Sequence, residues 1–171
     1  MDEVRLAEYD PGWPKLYAAE AERLMAVLSA GLVLSIEHFG STAVPGLMAK
    51  PIIDILVEVR SVQEARKIAI QPLEAIGYAF WSDNPRRDRM FFVKGLPPAA
   101  PHRTHHVHIV ESGTEMREQL LFRDYLRSHL DEVLRYGNLK SELMAKFRND
   151  REAYTAAKSA YVKEVLAKCV S

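Results

Sequence analysis

After a turn at Pro11 to Pro14, apolar side chains recur at three- and four-residue spacing through Leu16, Ala19, Leu24, Val27 and Leu28. This predicts an amphipathic helix that ends near Gly31. The period then changes. Leu32 to Phe39 is rich in branched and apolar residues and is cut off by Gly40-Ser41, which predicts a strand running into a turn. A second strand is expected over Pro51 to Val59, beyond the break at Gly46. Ser61 with Glu64 three residues later forms a capping box. It opens a helix through Ala65, Ile68, Leu73 and Ile76 that stops at Gly77 and that Pro72 bends or splits. Tyr78 to Ser82 and Met90 to Lys94 read as strands joined by the charged turn Asp83 to Asp88. Gly95 to Pro101 reads as a loop, and His105 to Val110 as a further strand. From Thr114 onward only helices are expected. One runs through Leu120, Leu121, Tyr125, Leu130 and Leu134, a second through Leu139, Leu143 and Phe147 with Gly137 separating the two, and a third through Tyr154, Tyr161, Val165 and Leu166. The sum is an α+β chain: a mixed sheet in the first two thirds, helices packed around it and a helical C-terminal third, read as a single domain over residues 1–171.

Composition narrows the class. With 171 residues, 48% hydrophobic and 27% charged, the chain is no disordered tail. It is long enough to bury roughly 70% of its unfolded surface, so the core needs neither disulfide nor metal to hold it together. The single cysteine, Cys169, agrees. Lysine plus arginine (23) balances aspartate plus glutamate (23), and no basic track for a long nucleic acid is visible in the linear sequence. The start, Met1-Asp2-Glu3, is acidic where a signal peptide would be basic. The longest uncharged stretch, Leu24 to Ile36, falls short of the about 20 residues that cross a bilayer. A cytoplasmic protein with no membrane partner is expected.

Candidate chemistry gathers in three places. The run from Glu37 to Val57 holds Gly40, Ser41 and Thr42 at a strand end, where free backbone N–H groups and hydroxyls suit phosphate oxygens; a plain turn with Thr42 as a helix cap is the alternative. Asp54 sits inside the apolar run Pro51 to Val57, and an unpaired carboxylate there costs several kcal/mol. A metal ion, a histidine, an arginine or lysine, or strand-end solvent must offset that cost. Strand periodicity puts Asp54, Leu56 and Glu58 on one face. In the second place, His102, His105, His106 and His108 lie within seven positions, and alternation puts His106 and His108 on one face. Two imidazoles with one carboxylate suit a divalent metal; histidines bonded to neighbouring backbone on a polar strand face are the alternative. The third is Leu121 to Arg127, where Arg123 and Arg127 share a helical face, with Lys140 and Lys158 on later helices. These cations suit a polyphosphate or a solvated face with local ion pairs.

The run Glu37 to Val57 resembles the signature of the GrpB family. Tyr9 to Pro14, His106 to Ile109, Leu121 to Arg127, Tyr136 to Lys140 and Tyr154 to Lys158 resemble that family in the same order, while Gly95 to Pro101 matches weakly. The resemblance implies a nucleotidyltransferase-like mixed β-sheet flanked by helices. Active members of that superfamily carry Gly-Ser at one strand end, an acidic-hydrophobic-acidic triplet on the next strand and a third carboxylate on a later one. Gly40-Ser41 and Asp54 match; Leu56 stands where the second carboxylate belongs, and leucine cannot hold a metal. By that analogy, Asp54 recruits His106 and His108 to hold a divalent ion. Imidazoles favour zinc, manganese or nickel over magnesium.

The reading is a metal-dependent nucleotidyltransferase-like protein. Asp54 is the catalytic carboxylate, and Gly40, Ser41, Thr42, Arg123 and Lys140 contact a nucleoside triphosphate. Asp54, His106 and His108 hold the metal (manganese, magnesium or zinc), and the acceptor is unidentified. The rival reading, which Leu56 favours, is a catalytically degenerate protein that binds a nucleotide, another phosphorylated ligand or a partner. A metal-dependent phosphate-ester hydrolase is weaker, because no general base stands out.

Overall fold

A computed structural model of the chain describes residues 6–148 and 150–169; the acidic start at Met1 to Glu3 lies outside them. Helix α1 (Trp13–Val27) opens with Pro14 in its first turn, where a missing N–H costs nothing. Strand β1 (Val33–Phe39) ends at Gly40 and passes into one 3-10 turn, Ser41–Ala43. Strand β2 (Ile53–Val59) follows. Helix α2 (Val62–Ile68) is capped as expected, Ser61 Oγ accepting the Glu64 N–H at 3.2 Å. The chain then breaks at Ala69, and α3 (Ile70–Ala75) contains Pro72, which has no N–H to give the carbonyl of Ile68. Strands β3 (Tyr78–Phe80), β4 (Arg89–Lys94) and β5 (His105–Glu111) complete a sheet of order β1-β2-β5-β4-β3. Only β2 and β5 pair in parallel.

The three C-terminal helices are α4 (Thr114–Ser128), α5 (Leu130–Lys146) and α6 (Arg151–Cys169). Here the expected boundary moves. The break falls at His129, whose Nδ1 donates to the Tyr125 carbonyl at 2.8 Å while its ring stacks on Tyr125. Gly137 runs through the interior of α5 instead of separating two helices. The apolar spacing misled because Leu130 and Leu134 face solvent, so they do not continue the buried stripe of α4. A Cβ at Gly137 would meet Leu47 Cδ1 at an ordinary 3.9 Å. Gly137→Ala is therefore expected to raise stability by about 1 kcal/mol, read as a higher urea midpoint at unchanged slope.

The two sheet faces differ. Ile53, Ile55, Val57, Val59, Met90, Phe92, Val107 and Ile109 point one way and bury against Leu24, Leu28, Val62, Ala65 and Leu73 of α1, α2 and α3. The other face carries Asp54, Leu56 and Glu58 on β2 and His106, His108 and Val110 on β5, and α4 covers part of it by packing Met116 and Leu120 on Phe39, Leu56 and Val110. A third cluster joins Leu126, Val133, Tyr136, Tyr161 and Val165 to Val44 and Leu47 of the β1–β2 connection. That packing carries α5 up to the turn after β1. At the outer edge of β1, Tyr17 Oη donates to the Ile36 carbonyl at 2.9 Å and Arg123 Nη1 to the His38 carbonyl at 2.9 Å. Among the described residues no helix is long and apolar enough to cross a membrane.

Candidate metal and phosphate site

Parallel pairing of β2 with β5 puts Asp54 directly opposite His106 and Leu56 opposite His108. Asp54 Oδ1 lies 3.1 Å from His106 Nδ1 and 4.0 Å from His108 Nε2. One ligand atom from each of the three residues falls within 4.8 Å of the others, which is close enough for a shared ion. The rings are held by aromatic neighbours: Phe91 packs on both, and Phe39 meets His108 edge-on. Burial pushes the His108 pKa down to about 4 against the pull of Asp54, so this imidazole is neutral at pH 7 and free to donate a lone pair. The buried Nε2 of His106 has no hydrogen-bond partner among the described residues. A carboxylate, a neutral imidazole and an orphaned ring nitrogen fit a borderline transition metal better than magnesium, which prefers an all-oxygen shell. Leu56 is buried with Phe39, Val110, Met116 and Leu120, so the position of the missing second carboxylate is part of an apolar cluster.

Gly40 joins this corner to the turn. Its φ of +73° with ψ of −172° lies in a region that only glycine occupies readily. A Cβ there would sit 2.8 Å from Asp54 Oδ2. One residue on, Ser41 Oγ accepts from Lys140 Nζ at 3.0 Å, and the same ammonium donates to the Met48 carbonyl and lies over the Tyr136 ring. Lys140 is only 3% exposed and meets no carboxylate among the described residues. Burial, aided by the charge of Lys158, pushes its pKa down to about 7.

Two other candidates are otherwise engaged. Thr42 is buried; its hydroxyl donates to the Ile52 carbonyl at 3.2 Å, leaving Oγ1 to accept from His38 Nε2 at 3.0 Å. Arg123 bonds Glu37 at 2.7 Å, Asp124 at 2.8 Å and the His38 carbonyl, fastening α4 to β1. Arg127 reaches the Ala43 carbonyl at 2.8 Å from the same helix. Gly40, Ser41, Asp54, Lys140, His106 and His108 thus form one continuous corner, with Thr42 behind it and Arg123 beside it. Sequence reasoning missed a row of arginines, Arg66, Arg87 and Arg89, that shares a cleft with His108. They come from α2, the turn before β4 and β4 itself, so nothing local in the sequence marks them as a group.

The sequence matches the GrpB protein family over residues 3–168. The chain belongs to the GrpB family. Among its relatives, the UPF0157 protein PA4798 of Pseudomonas aeruginosa is 45% identical, over 99% of this chain and 69% of that protein. A Mycolicibacterium paratuberculosis protein named dephospho-CoA kinase is 31% identical, over 94% of this chain and 44% of its own length. The crystal structure of the conserved protein GrpB from Enterococcus faecalis superposes with a TM-score of 0.83 at 33% identity, covering 96% of each chain. The Cid1 poly(U) polymerase shares the fold, with a TM-score of 0.57 at 14% identity over 89% of this chain and 49% of that one. The nucleotidyltransferase-like architecture expected from the resemblance is thereby established.

Proposed function

We propose that this GrpB protein binds a nucleoside triphosphate at the corner formed by Gly40, Ser41 and Lys140, next to a divalent transition metal held by Asp54, His106 and His108, and transfers its nucleotidyl group. The observation that carries the reading is the adjacency of Asp54 to both histidines on one side and to Gly40 on the other. A bound metal supplies neutralisation of triphosphate charge and polarisation at the α-phosphorus. The chain's own part is placement. Gly40 lets the backbone come close, the Ser41 hydroxyl and N–H groups of the turn face oxygens, and Lys140 provides a cation at short range. In the reaction an acceptor hydroxyl oxygen bonds to the α-phosphorus and gives up its proton to solvent as the bond to the bridging oxygen breaks and diphosphate leaves. Leu56 supports a second reading, nucleotide binding without turnover, because one carboxylate holds the ion less firmly than two.

The test is calorimetric titration of the four ribonucleoside triphosphates, with magnesium, manganese and zinc in turn, into the wild type and Asp54→Ala. Metal-dependent binding that disappears with Asp54 supports the site. Silence under every condition sinks both readings. A proton signature accompanies binding: a phosphate beside Lys140 favours its charged form, so at pH 8 the complex takes up a proton. The measured heats are then expected to differ between Tris and HEPES in proportion to the buffers' ionisation enthalpies, and not in Lys140→Met.

A further inference from the structure

A cleft of about 640 Å³ opens on the histidine face of the sheet, between the starts of α2 and α4. Leu56, His108, Val110 and Met116 line it, and Arg66, Arg87, Arg89, Asp88, Glu111 and Glu115 supply its charges. That volume suits a small molecule. These three cations and three anions sum to zero, but they are unevenly paired. Arg89 clamps Glu115 through two bonds of 2.9 and 2.7 Å, and Arg86 bridges Glu115 and Asp88, so these two cations and two anions close on themselves. Glu111 accepts the Val62 N–H at 2.8 Å. Arg66 and Arg87 are different. Among the described residues Arg66 bonds the carbonyls of Arg87 and Arg89, and Arg87 that of Ser82. A guanidinium carries five N–H donors, and neither of these meets a carboxylate among the described residues. The residues that lead into α4, Ser112 and its N-cap Gly113, border the same space. His108, 4.0 Å from Asp54, lines the same cleft.

We infer that this cleft binds a small phosphomonoester, with Arg66 and Arg87 taking the phosphate and the rest of the molecule lying toward His108. Two guanidinium groups that no carboxylate engages offer planar donors to the phosphate oxygens, while the Glu111 carboxylate of the same cleft is held by the Val62 N–H. The cleft is where the acceptor of the transfer reaction sits; that assignment rests on the function proposed above, whereas phosphate binding itself does not.

The probe is glycerol 3-phosphate, with glycerol as the uncharged control, titrated into the isotopically labelled full chain in chelator and followed by backbone amide shifts. Saturable shifts centred on Arg87, Ser112, Gly113 and Glu115 are expected, with none from glycerol. Arg87→Glu, at an exposed position that leaves the fold intact, is expected to weaken binding about tenfold or more. Arg66→Gln should do the same, its amide spectrum reporting that β4 remains in place. Shifts centred instead on Gly40, Ser41 and Lys140, no saturation, or an unchanged affinity in Arg87→Glu would overturn the inference. Cleft binding that survives while metal-dependent nucleotide binding is absent removes the transfer reading alone; the reverse removes the cleft alone.

Discussion

Gly40→Ala is expected to lower the unfolding free energy by roughly 3 kcal/mol and, with it, to abolish the metal binding proposed at Asp54. Two costs add. At φ +73° and ψ −172° the backbone occupies a region that an L side chain enters only under strain. The new methyl would also stand 2.8 Å from Asp54 Oδ2 and 3.2 Å from its Cβ, distances that require the aspartate or the turn to move. Neither moves freely. Asp54 is paired to His106, and the next turn residues are pinned by Thr42 to Ile52 and by Lys140 to Ser41. Urea unfolding gives the stability loss, and a zinc or manganese titration of the folded variant gives the site loss. A variant within 1 kcal/mol of wild type that still binds the ion would show that the turn does not position Asp54.

Lys140 controls the second large effect, a rise in stability with pH. Its pKa falls from the ordinary lysine value to about 7 in the folded chain, so the folded state favours the neutral amine. The sign follows from linkage. Below pH 7 both states hold the proton and the native state bears the full cost of a buried ammonium; between pH 7 and the unfolded pKa only the unfolded state holds it, and stability climbs with pH. At 1.36 kcal/mol per pH unit, the wild type gains on the order of 4 kcal/mol relative to Lys140→Met between pH 7 and pH 10. Urea unfolding of both proteins at three pH values measures it. Parallel curves for the two would mean that water or an anion already solvates Lys140 in the folded chain.

The strands were legible in the sequence because each is a short run rich in branched and apolar residues cut off by glycine, proline or a charged turn, and the capping box at Ser61 was legible because its hydrogen bond is local. The C-terminal helices were harder. Leu130 and Leu134 carry the apolar spacing of a core stripe yet face solvent, and Gly137 lies inside a helix although glycine ordinarily marks a break. For the site, alternation alone separated His106 and His108 from His105. Only the parallel pairing of β2 with β5, a contact across 52 positions, brought them to Asp54. Arg123 shows what spacing leaves out: the four-residue interval to Arg127 suits a phosphate clamp, while in the folded chain its Nε and Nη1 bond Asp124, Glu37 and a strand carbonyl. Arg66 and Arg87 left no trace, since two cations from separate elements become a pair only after folding.

The outer edge of β1 has a bearing on how the protein behaves at high concentration. An edge strand presents alternate carbonyls and amides to any passing strand, and a second copy of β1 is the strand most available to pair with it. Here Tyr17 and Arg123 already occupy the Ile36 and His38 carbonyls, and the opposite edge, β3, is only three residues long. Neither border of the sheet offers a run of vacant acceptors long enough to template a fibre. The arginine that ties α4 to the sheet also keeps neighbouring molecules from adding to it.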